Sequence, residues 1–329
     1  MKTRPLGRNG APVGAIGYGA MSFSDFYGPT TDAASMRILD ACLELGITHI
    51  DTSDVYGKGR SETVIGEWLA ARGGASPFVL ATKGGITGKP ERRFRNDKRY
   101  LTKSLNASLK RLGVEAVDLY YVHRRQAERE IEEVTETLAG FVKAGKVKAI
   151  GFSEISPASL RRAHSVHPVA AVQSEYSLST RLPELGLKQT CEELGVALVA
   201  FSPVGRGLLT DRPPDAKMVR KIPFLKGNPR FMKPNLAENL RLTDAFRALA
   251  EDMGTSAATL SVAWLLRQGP HIHPIPGTRS LEHLREVAGA VDLTLSAEDM
   301  NRIEEVLPVG WAHGDRYSEA QWIGPERYG

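Results

Sequence analysis

The chain has 329 residues, of which 42% are hydrophobic and 25% charged, a balance typical of a globular protein with a sizeable core. No apolar run reaches the roughly 20 residues that a membrane-spanning helix needs, and the first residues lack the apolar core of a signal peptide, so we expect a cytoplasmic protein. The net charge of +5 comes largely from two basic stretches, residues 89–99 and 217–233. No nucleic-acid recognition motif or aromatic stacking platform accompanies this charge, so we expect neither nucleic acid nor membrane as a partner.

Strand-like and helix-like segments alternate along the chain without a linker or a break in composition, which predicts one domain over residues 1–329. The chain begins with a hairpin pattern at residues 3–13, where Asn9-Gly10 is a strong turn signal. Eight short apolar segments follow, and their near-continuous apolar character predicts strands buried on both faces of a parallel sheet. These segments are residues 15–19, 47–51, 78–83, 117–123, 147–153, 169–174, 196–202 and 271–277.

Amphipathic helical patterns lie between the predicted strands. In residues 32–46, Met36, Leu39 and Leu43 form an apolar side that ends at Gly46. Eight strands alternating with helices predict a closed (β/α)8 TIM barrel of the α/β class, with the first hairpin as a cap on the barrel floor. The loop after the seventh strand, residues 203–234, is too long for an ordinary connection, so we expect it to carry function.

Polar residues stand where several predicted strands end, and in a barrel these ends meet at one rim. Asp51 ends the second strand, Lys83 the third and His123 the fourth, while Tyr56 lies five residues past Asp51. A buried Asp–Lys pair alone would favour a structural salt bridge. The addition of a tyrosine and a histidine favours carbonyl reduction, because hydride addition leaves a negative oxygen that needs a proton. We expect the Lys83 ammonium to lower the pKa of Tyr56, and His123 to polarise the carbonyl.

Seven motifs resemble those of the aldo-keto reductases, in the right order and at matching spacing. They are IDTSDVYGKGRSE, LATKGG, DLYYVHR, GKVKAIGFSE, AAVQSEYSL, FSPVGRGLLT and IPGTRSLEHLRE. The resemblance covers nearly all of the chain and is strongest to the bacterial, fungal and plant branch with GxSE and QSEYSL motifs. It implies an NADPH-dependent reductase of aldehydes or ketones, in which Tyr56 donates the proton, Lys83 and Asp51 tune it, and His123 orients the small-molecule carbonyl.

The same resemblance implies a cofactor site along the barrel rim. Ser153 and Gln173 would bind the nicotinamide amide, Phe201 would stack on its ring, and the Ser202–Leu208 backbone would wrap the pyrophosphate. The implied cofactor residues are Ser153, Gln173, Phe201, Ser202, Pro203, Gly205, Gly207, Leu208, Gly277, Thr278, Arg279, His283 and Glu286. The implied substrate pocket consists of Met21, Tyr27 and His123, with Trp311 or Tyr317 from the C-terminal tail.

Several positions depart from the family pattern, and two other functions stay open. Glu154 stands where many relatives carry Asn, Val287 replaces another Asn, and His283 takes the place of an Arg, which leaves Arg279 for the 2′-phosphate. A metal-dependent hydrolase is one alternative, but His271 and His273 lack further ligands, so we expect no metal. The other alternative is a non-catalytic, nicotinamide-sensing regulatory subunit. The sequence leaves the physiological substrate and the oligomeric state open.

Overall fold

A computed structural model describes residues 1–87 and 93–328, so part of the first basic stretch lies outside the described residues. The strands are short, as they are in most barrels. They are β1 (Thr3–Pro5), β2 (Pro12–Gly14), β3 (Tyr18–Gly19), β4 (His49–Asp51), β5 (Val79–Gly84), β6 (Ile86–Thr87), β7 (Arg93–Phe94), β8 (Val117–Val122), β9 (Val147–Ser153), β10 (Val169–Glu175), β11 (Ala197–Phe201) and β12 (Ile272–Pro274).

Eight of these strands form one parallel sheet in the order β12-β11-β10-β9-β8-β5-β4-β3. The backbone closes the circle between the first and last of them, since Gly17 N donates to Pro274 O at 3.0 Å and Gly19 N donates to Pro276 O at 3.1 Å. The predicted (β/α)8 TIM barrel is therefore confirmed, and each of the eight predicted strands overlaps an observed one, with β5 and β10 extending one residue beyond the predicted end.

Helices surround the barrel, and several begin at a capping side chain as their sequences predict. Thr31, Asp97 and Ser156 each accept a hydrogen bond from a backbone N–H in the first turn of the helix that follows. The helices are α1 (Asp32–Glu44), α2 (Arg60–Ala70), α3 (Lys98–Leu112), α4 (Ile131–Lys143), α5 (Pro157–Val166), α6 (Leu187–Leu194), α7 (Ala216–Lys221), α8 (Pro223–Lys226), α9 (Asn235–Asp252), α10 (Ala257–Arg267), α11 (Leu281–Ala288) and α12 (Ala297–Val306).

Alternate residues along each strand are buried on opposite faces of the sheet, which explains the near-continuous apolar character of these segments. Ala81, Tyr121 and Val199 point into the barrel, where they pack with Leu6 and Val13 of the first hairpin. The neighbouring positions pack outward against the helices. Because β1 and β2 pair antiparallel and contribute to the inner cluster, the predicted cap on the barrel floor is present. Within the described ranges, none of the helices combines the length and apolar character that a membrane crossing requires.

The barrel interior contains two buried histidines, His49 on β4 and His273 on β12. His273 Nε2 lies 3.1 Å from the carbonyl oxygen of Pro5, so this residue belongs to the floor rather than to the rim. Burial lowers the pKa of His49 to about 4 and that of His273 to about 3, from an ordinary value of 6.5. Both rings are therefore neutral in the folded protein at pH 5, where the unfolded chain binds a proton on each.

We predict that acid destabilises this barrel through the two histidines. Because the unfolded chain binds more protons below pH 6.5, each histidine lowers the free energy of unfolding by about 1.4 kcal/mol per pH unit until its folded pKa is reached. In His49→Gln the slope between pH 6 and 5 should therefore fall by about that amount, as measured by urea unfolding. The same substitution at the exposed His313 controls for the chemical change. An unchanged slope in His49→Gln would contradict the prediction.

Candidate active site

The carboxyl ends of neighbouring strands bring the predicted catalytic side chains together. Asp51 ends β4, Lys83 lies near the end of β5 and His123 directly follows β8. Parallel pairing places β5 between β4 and β8, so these residues stand side by side on one rim. Tyr56 begins a short 3-10 turn above them, where Gly57 and Lys58 adopt positive φ angles of 60° and 57°.

Lys83 is the centre of this cluster and is fully buried. Its Nζ bonds to Asp51 Oδ1, donates to the Thr52 carbonyl at 2.9 Å and lies 3.3 Å from the Tyr56 hydroxyl. The other oxygen of Asp51 accepts a hydrogen bond from Gln173 Nε2 at 2.7 Å. The carboxylate is therefore held on both oxygens, and the ammonium is held beside the phenol.

The electrostatics of the cluster keep the lysine charged and the phenol protonated. Burial opposes the charge of Lys83, but the carboxylate of Asp51 and the hydroxyl of Tyr56 together outweigh it and raise the pKa of Lys83 above its ordinary value. Burial raises the pKa of Tyr56, and the attraction of Lys83 for the tyrosinate only partly offsets this. The net direction for Tyr56 is thus upward, whereas the sequence suggested a lowering, because the phenol is more deeply buried than its loop position indicated. Tyr56 carries its proton throughout the neutral range.

His123 lies opposite the tyrosine across the same opening. Its ring makes an edge-to-face contact with Tyr56 at 5.8 Å between centroids, and its Nδ1 lies 3.0 Å from the Ser53 hydroxyl. The backbone N–H of His123 donates to Gly84 O at 2.8 Å, which ties the end of β8 to that of β5. The ring is therefore fixed in orientation on two sides.

A cavity of about 970 Å³ opens above the cluster and runs along the rim toward α10 and α11. A volume of this size suits a dinucleotide with a small substrate beside it. It is lined by most of the residues predicted from the sequence, namely Met21, Tyr27, Asp51, Tyr56, His123, Ser153, Gln173, Phe201, Ser202, Pro203, Gly207, Gly277, Thr278, His283, Glu286 and Tyr317. The catalytic cluster stands at one end, and His283 and Glu286 of α11 stand at the other.

Five predicted residues do not line the cavity. Lys83 lies beneath it, Gly205 and Leu208 are buried within the loop after β11, and Trp311 packs in the core with its indole N–H on the Leu178 carbonyl at 2.8 Å. Arg279 is held against the loop at residues 27–29 instead. Its guanidinium donates to the carbonyls of Pro29 and Tyr27, at 2.7 Å and 3.0 Å.

Other cavity residues are ones that the sequence analysis did not identify. Arg212 and Ser256 stand at the α11 end, and the aromatic residues Phe26 and Phe224 stand at the catalytic end. Arg206 also lines the cavity and stacks between Phe224 and Tyr317, with its guanidinium carbon 4.8 Å and 5.0 Å from their ring centroids. The basic composition of residues 203–234 indicates that cations from this loop could reach the site, but it does not show that Arg206 and Arg212 are the ones that do.

A buried charge cluster joins the barrel, the long loop and the C-terminal tail. Glu154, at a positive φ of 59°, turns away from the cavity and pairs with Arg316 of the tail. Glu175, at the end of β10, pairs with Arg206 and lies 3.7 Å from Arg230. Burial acts to raise the pKa of Glu154, but the Arg316 guanidinium, with the charge of Arg124 and the Glu175 N–H, outweighs it and lowers that pKa. Glu154 therefore anchors the tail and does not contribute to the cavity wall.

This fold, with a half-buried tyrosine over a buried lysine and aspartate at one end of a long rim cavity, defines a barrel oxidoreductase, and comparison with known sequences gives the same class. The sequence profile of the Aldo/keto reductase family matches residues 15–308. The chain belongs to this family, which comprises NADP-dependent oxidoreductases.

Individual relatives agree with this assignment. Aldo-keto reductase yakc (NADP(+)) of Schizosaccharomyces pombe is 39% identical over 96% of this chain and 94% of its own length, and probable aldo-keto reductase 1 of Glycine max is 37% identical over 95% and 90%. Among solved structures, the glycerol dehydrogenase of Gluconobacter oxydans superposes with a TM-score of 0.82 at 28% identity, covering 93% of this chain and 94% of that one. An aldo-keto reductase from Bacillus halodurans, in its holo form, gives 0.79 at 26% identity, covering 98% and 99%.

Proposed function

We propose that this chain reduces the carbonyl group of small aldehydes or ketones to an alcohol with NADPH, and that Tyr56 is the proton donor. The observation that carries the proposal is the buried Asp51–Lys83 pair held 3.3 Å beneath the Tyr56 hydroxyl, with His123 across the opening. We further propose that residues 1–329 act as one domain in the cytoplasm, where the free buried thiols of Cys42 and Cys191 suit a reducing compartment.

The cavity fits a nicotinamide dinucleotide along its length. Ser153 and Gln173 lie on its floor beside Asp51, Phe201 follows, and the loop from Ser202 to Gly207 forms the middle of the wall. A side chain at Gly277 would place its Cβ 2.5 Å from the carbonyl oxygen of Gly19, so only glycine allows these two lining segments to pack this closely. The name of the fission-yeast relative contains NADP(+), which supports this cofactor.

The side chains then divide the reaction between them. When bound, NADPH supplies the hydride that reduces the carbonyl carbon. Tyr56 gives its proton to the carbonyl oxygen, and the Lys83 ammonium stabilises the tyrosinate that remains. Asp51 keeps the lysine charged and in place, with Gln173 holding its second oxygen. His123 orients the carbonyl oxygen toward the phenol.

Turnover separates this function from a regulatory one. We expect the purified protein to oxidise NADPH when aldehydes, ketoaldehydes or quinones are added, with one alcohol formed for each NADPH consumed. Tight NADPH binding without turnover of any member of such a panel would favour the nicotinamide-sensing alternative instead.

Arg212 is our candidate for the 2′-phosphate contact, in place of Arg279. The Arg279 guanidinium already donates to two carbonyls, whereas Arg212 lines the same cavity as His283 and makes no hydrogen bond or ion pair within the described ranges. A charge-assisted bond of about 1.5–3 kcal/mol corresponds to about 10- to 150-fold in affinity. Arg212→Ala should therefore weaken NADPH within that range and leave NADH nearly unchanged, as measured by fluorescence titration.

Arg279→Ala is the matched comparison for this prediction. Loss of its bonds to Tyr27 and Pro29 should loosen that loop and weaken both cofactors alike. If Arg279→Ala instead abolishes the preference for NADPH while Arg212→Ala preserves it, the assignment reverts to Arg279.

We also predict that NADPH protects the loop after β11 from proteolysis. Residues 203–234 carry exposed lysines and arginines around α7, and part of the loop forms the cavity wall, so cofactor contacts should restrict its movement. Trypsin cleavage after Lys217 or Lys221 should slow when NADPH is added. Cleavage at Arg302 in α12, away from the cavity, serves as the internal control. Equal cleavage of the loop with and without NADPH would contradict the prediction.

A further inference from the structure

Arg124 is a buried cation in the cavity wall that the proposed reaction does not use. It directly follows His123 at the end of β8, and only 7% of its surface is exposed. It lines the same end of the cavity as Tyr56 and His123. Its guanidinium therefore faces the same space as the groups proposed to act on the carbonyl.

The contacts of Arg124 leave its charge without an acidic partner. Nη1 donates to the His123 carbonyl at 2.7 Å and to the Ser153 hydroxyl at 2.9 Å, and the nearest group to Nη2 is the Tyr317 hydroxyl at 3.5 Å. Across residues 1–87 and 93–328, no carboxylate comes within 4.0 Å of this guanidinium. A buried charge without an ion-pair partner is costly unless a ligand completes the pair.

The nearest acidic side chains are already committed to other arginines. Glu154 accepts from the Glu175 N–H at 2.8 Å on one oxygen and pairs with Arg316 on the other. Glu175 pairs with Arg206. With Arg230 and Arg124 included, this side of the rim carries four guanidinium groups against two carboxylates. Of these four groups, Arg124 and Arg206 line the cavity, and Arg206 is paired with Glu175 while Arg124 has no ion-pair partner among the described residues.

We propose that the physiological substrate is a carbonyl compound that carries a carboxylate, and that Arg124 binds this carboxylate. The inference rests on the proposed function and names its substrate class. Hydride from NADPH is transferred to the carbonyl carbon and the proton of Tyr56 to the oxygen, so the products are NADP⁺ and a hydroxy acid. The aromatic rings of Phe26, Phe224 and Tyr317 enclose the apolar body between the two polar ends.

A pair of aldehydes that differ only in charge tests this assignment. We expect kcat/KM of the wild-type protein to be about tenfold or more higher for para-formylbenzoate than for the neutral para-formylbenzamide, chiefly through KM, because the carboxylate gains a charge-assisted bond to Arg124. In Arg124→Gln this acid-to-amide ratio should fall to near one. The ratio is taken within each variant, so a defect in folding or cofactor binding cancels.

Arg125→Gln is the matched control, since Arg125 pairs with Glu326 and does not line the cavity. It should keep the wild-type ratio. Equal use of both aldehydes by the wild-type protein, or a preference that survives in Arg124→Gln, would overturn the inference while leaving carbonyl reduction intact. Turnover of neither these nor any other carbonyl would instead remove the proposed function.

Two further measurements complete the test, one for a variant that does not fold and one for a different anionic substrate. If Arg124→Gln does not fold, Arg124→Lys should retain part of the preference, and added salt should erode it in the wild-type protein. A preference insensitive to salt would count against a charge contact. A phosphorylated aldehyde that depends on Arg124 more strongly than para-formylbenzoate does would overturn the choice of carboxylate.

Discussion

Replacement of Tyr56 by phenylalanine should lower kcat for carbonyl reduction by about 10²-fold or more while leaving the affinity for NADPH unchanged. A positioned general acid contributes about 10²- to 10⁴-fold, and the phenol is the group that Lys83 and Asp51 hold in the cavity. Phenylalanine keeps the ring and its contact with His123. Steady-state rates and a fluorescence titration with NADPH measure the two quantities.

Tyr100→Phe is a matched control for this substitution. Tyr100 lies on α3 outside the cavity, and its hydroxyl donates to the Ile86 carbonyl at 3.0 Å. The substitution therefore removes one hydrogen-bonded phenol hydroxyl that takes no part in the proposed chemistry. Its kcat should stay within a few-fold of the wild-type value. A Tyr56→Phe enzyme with unaltered kcat would show that the proton comes from another group.

Replacement of Lys83 by methionine should shift the pH dependence of the reaction as well as its rate. Without the ammonium the pKa of Tyr56 rises further, and a nearby opposite charge is worth about 1–3 pH units. Alcohol oxidation requires Tyr56 as a base, so its alkaline rise should move upward by that amount. Reduction should slow by about 10²-fold or more, because the tyrosinate that forms loses its partner.

The same substitution leaves Asp51 buried without its cation, which commonly costs about 3–5 kcal/mol. Folding must therefore be checked by thermal unfolding with NADPH present. Lys83→Arg retains a positive charge and should recover part of the wild-type pH profile. A loss of rate in Lys83→Met with an unshifted profile would assign Lys83 a structural role only.

The catalytic end of the site could be predicted from the sequence because, in a barrel, a residue at the carboxyl end of its own strand lies at the rim. Asp51, Lys83 and His123 each stand at the carboxyl end of an apolar segment, and parallel strands bring such ends to one rim. The hairpin at residues 3–13 was similarly evident from its Asn-Gly turn. Helices α9 to α12 were not predicted, because the long stretches between β11 and β12 and after β12 carry only weak signals for where a helix begins or ends.

The features of the site that could not be predicted from the sequence depend on contacts between distant segments. The two carbonyl partners of Arg279 lie 250 and 252 positions away in the chain, and the ion pair of Glu154 with Arg316 joins residues that are 162 positions apart. A turn motif cannot show which way a long guanidinium points. The net direction of the Tyr56 pKa also needed the depth of burial, because the sequence reveals the neighbouring charge but not the desolvation that opposes it.

Deuterium transfer from NADPH that carries deuterium at both positions of the reactive nicotinamide carbon tests the central claim most directly. The wild-type protein, mixed with labelled NADPH and para-formylbenzoate, should yield an alcohol with one deuterium at the former carbonyl carbon, in proportion to the NADPH consumed. Tyr56→Phe should bind the same labelled cofactor, and its rate of product formation should be lower by about 10²-fold or more. Absence of labelled alcohol from a wild-type protein saturated with NADPH, across every carbonyl compound tested, would contradict the account.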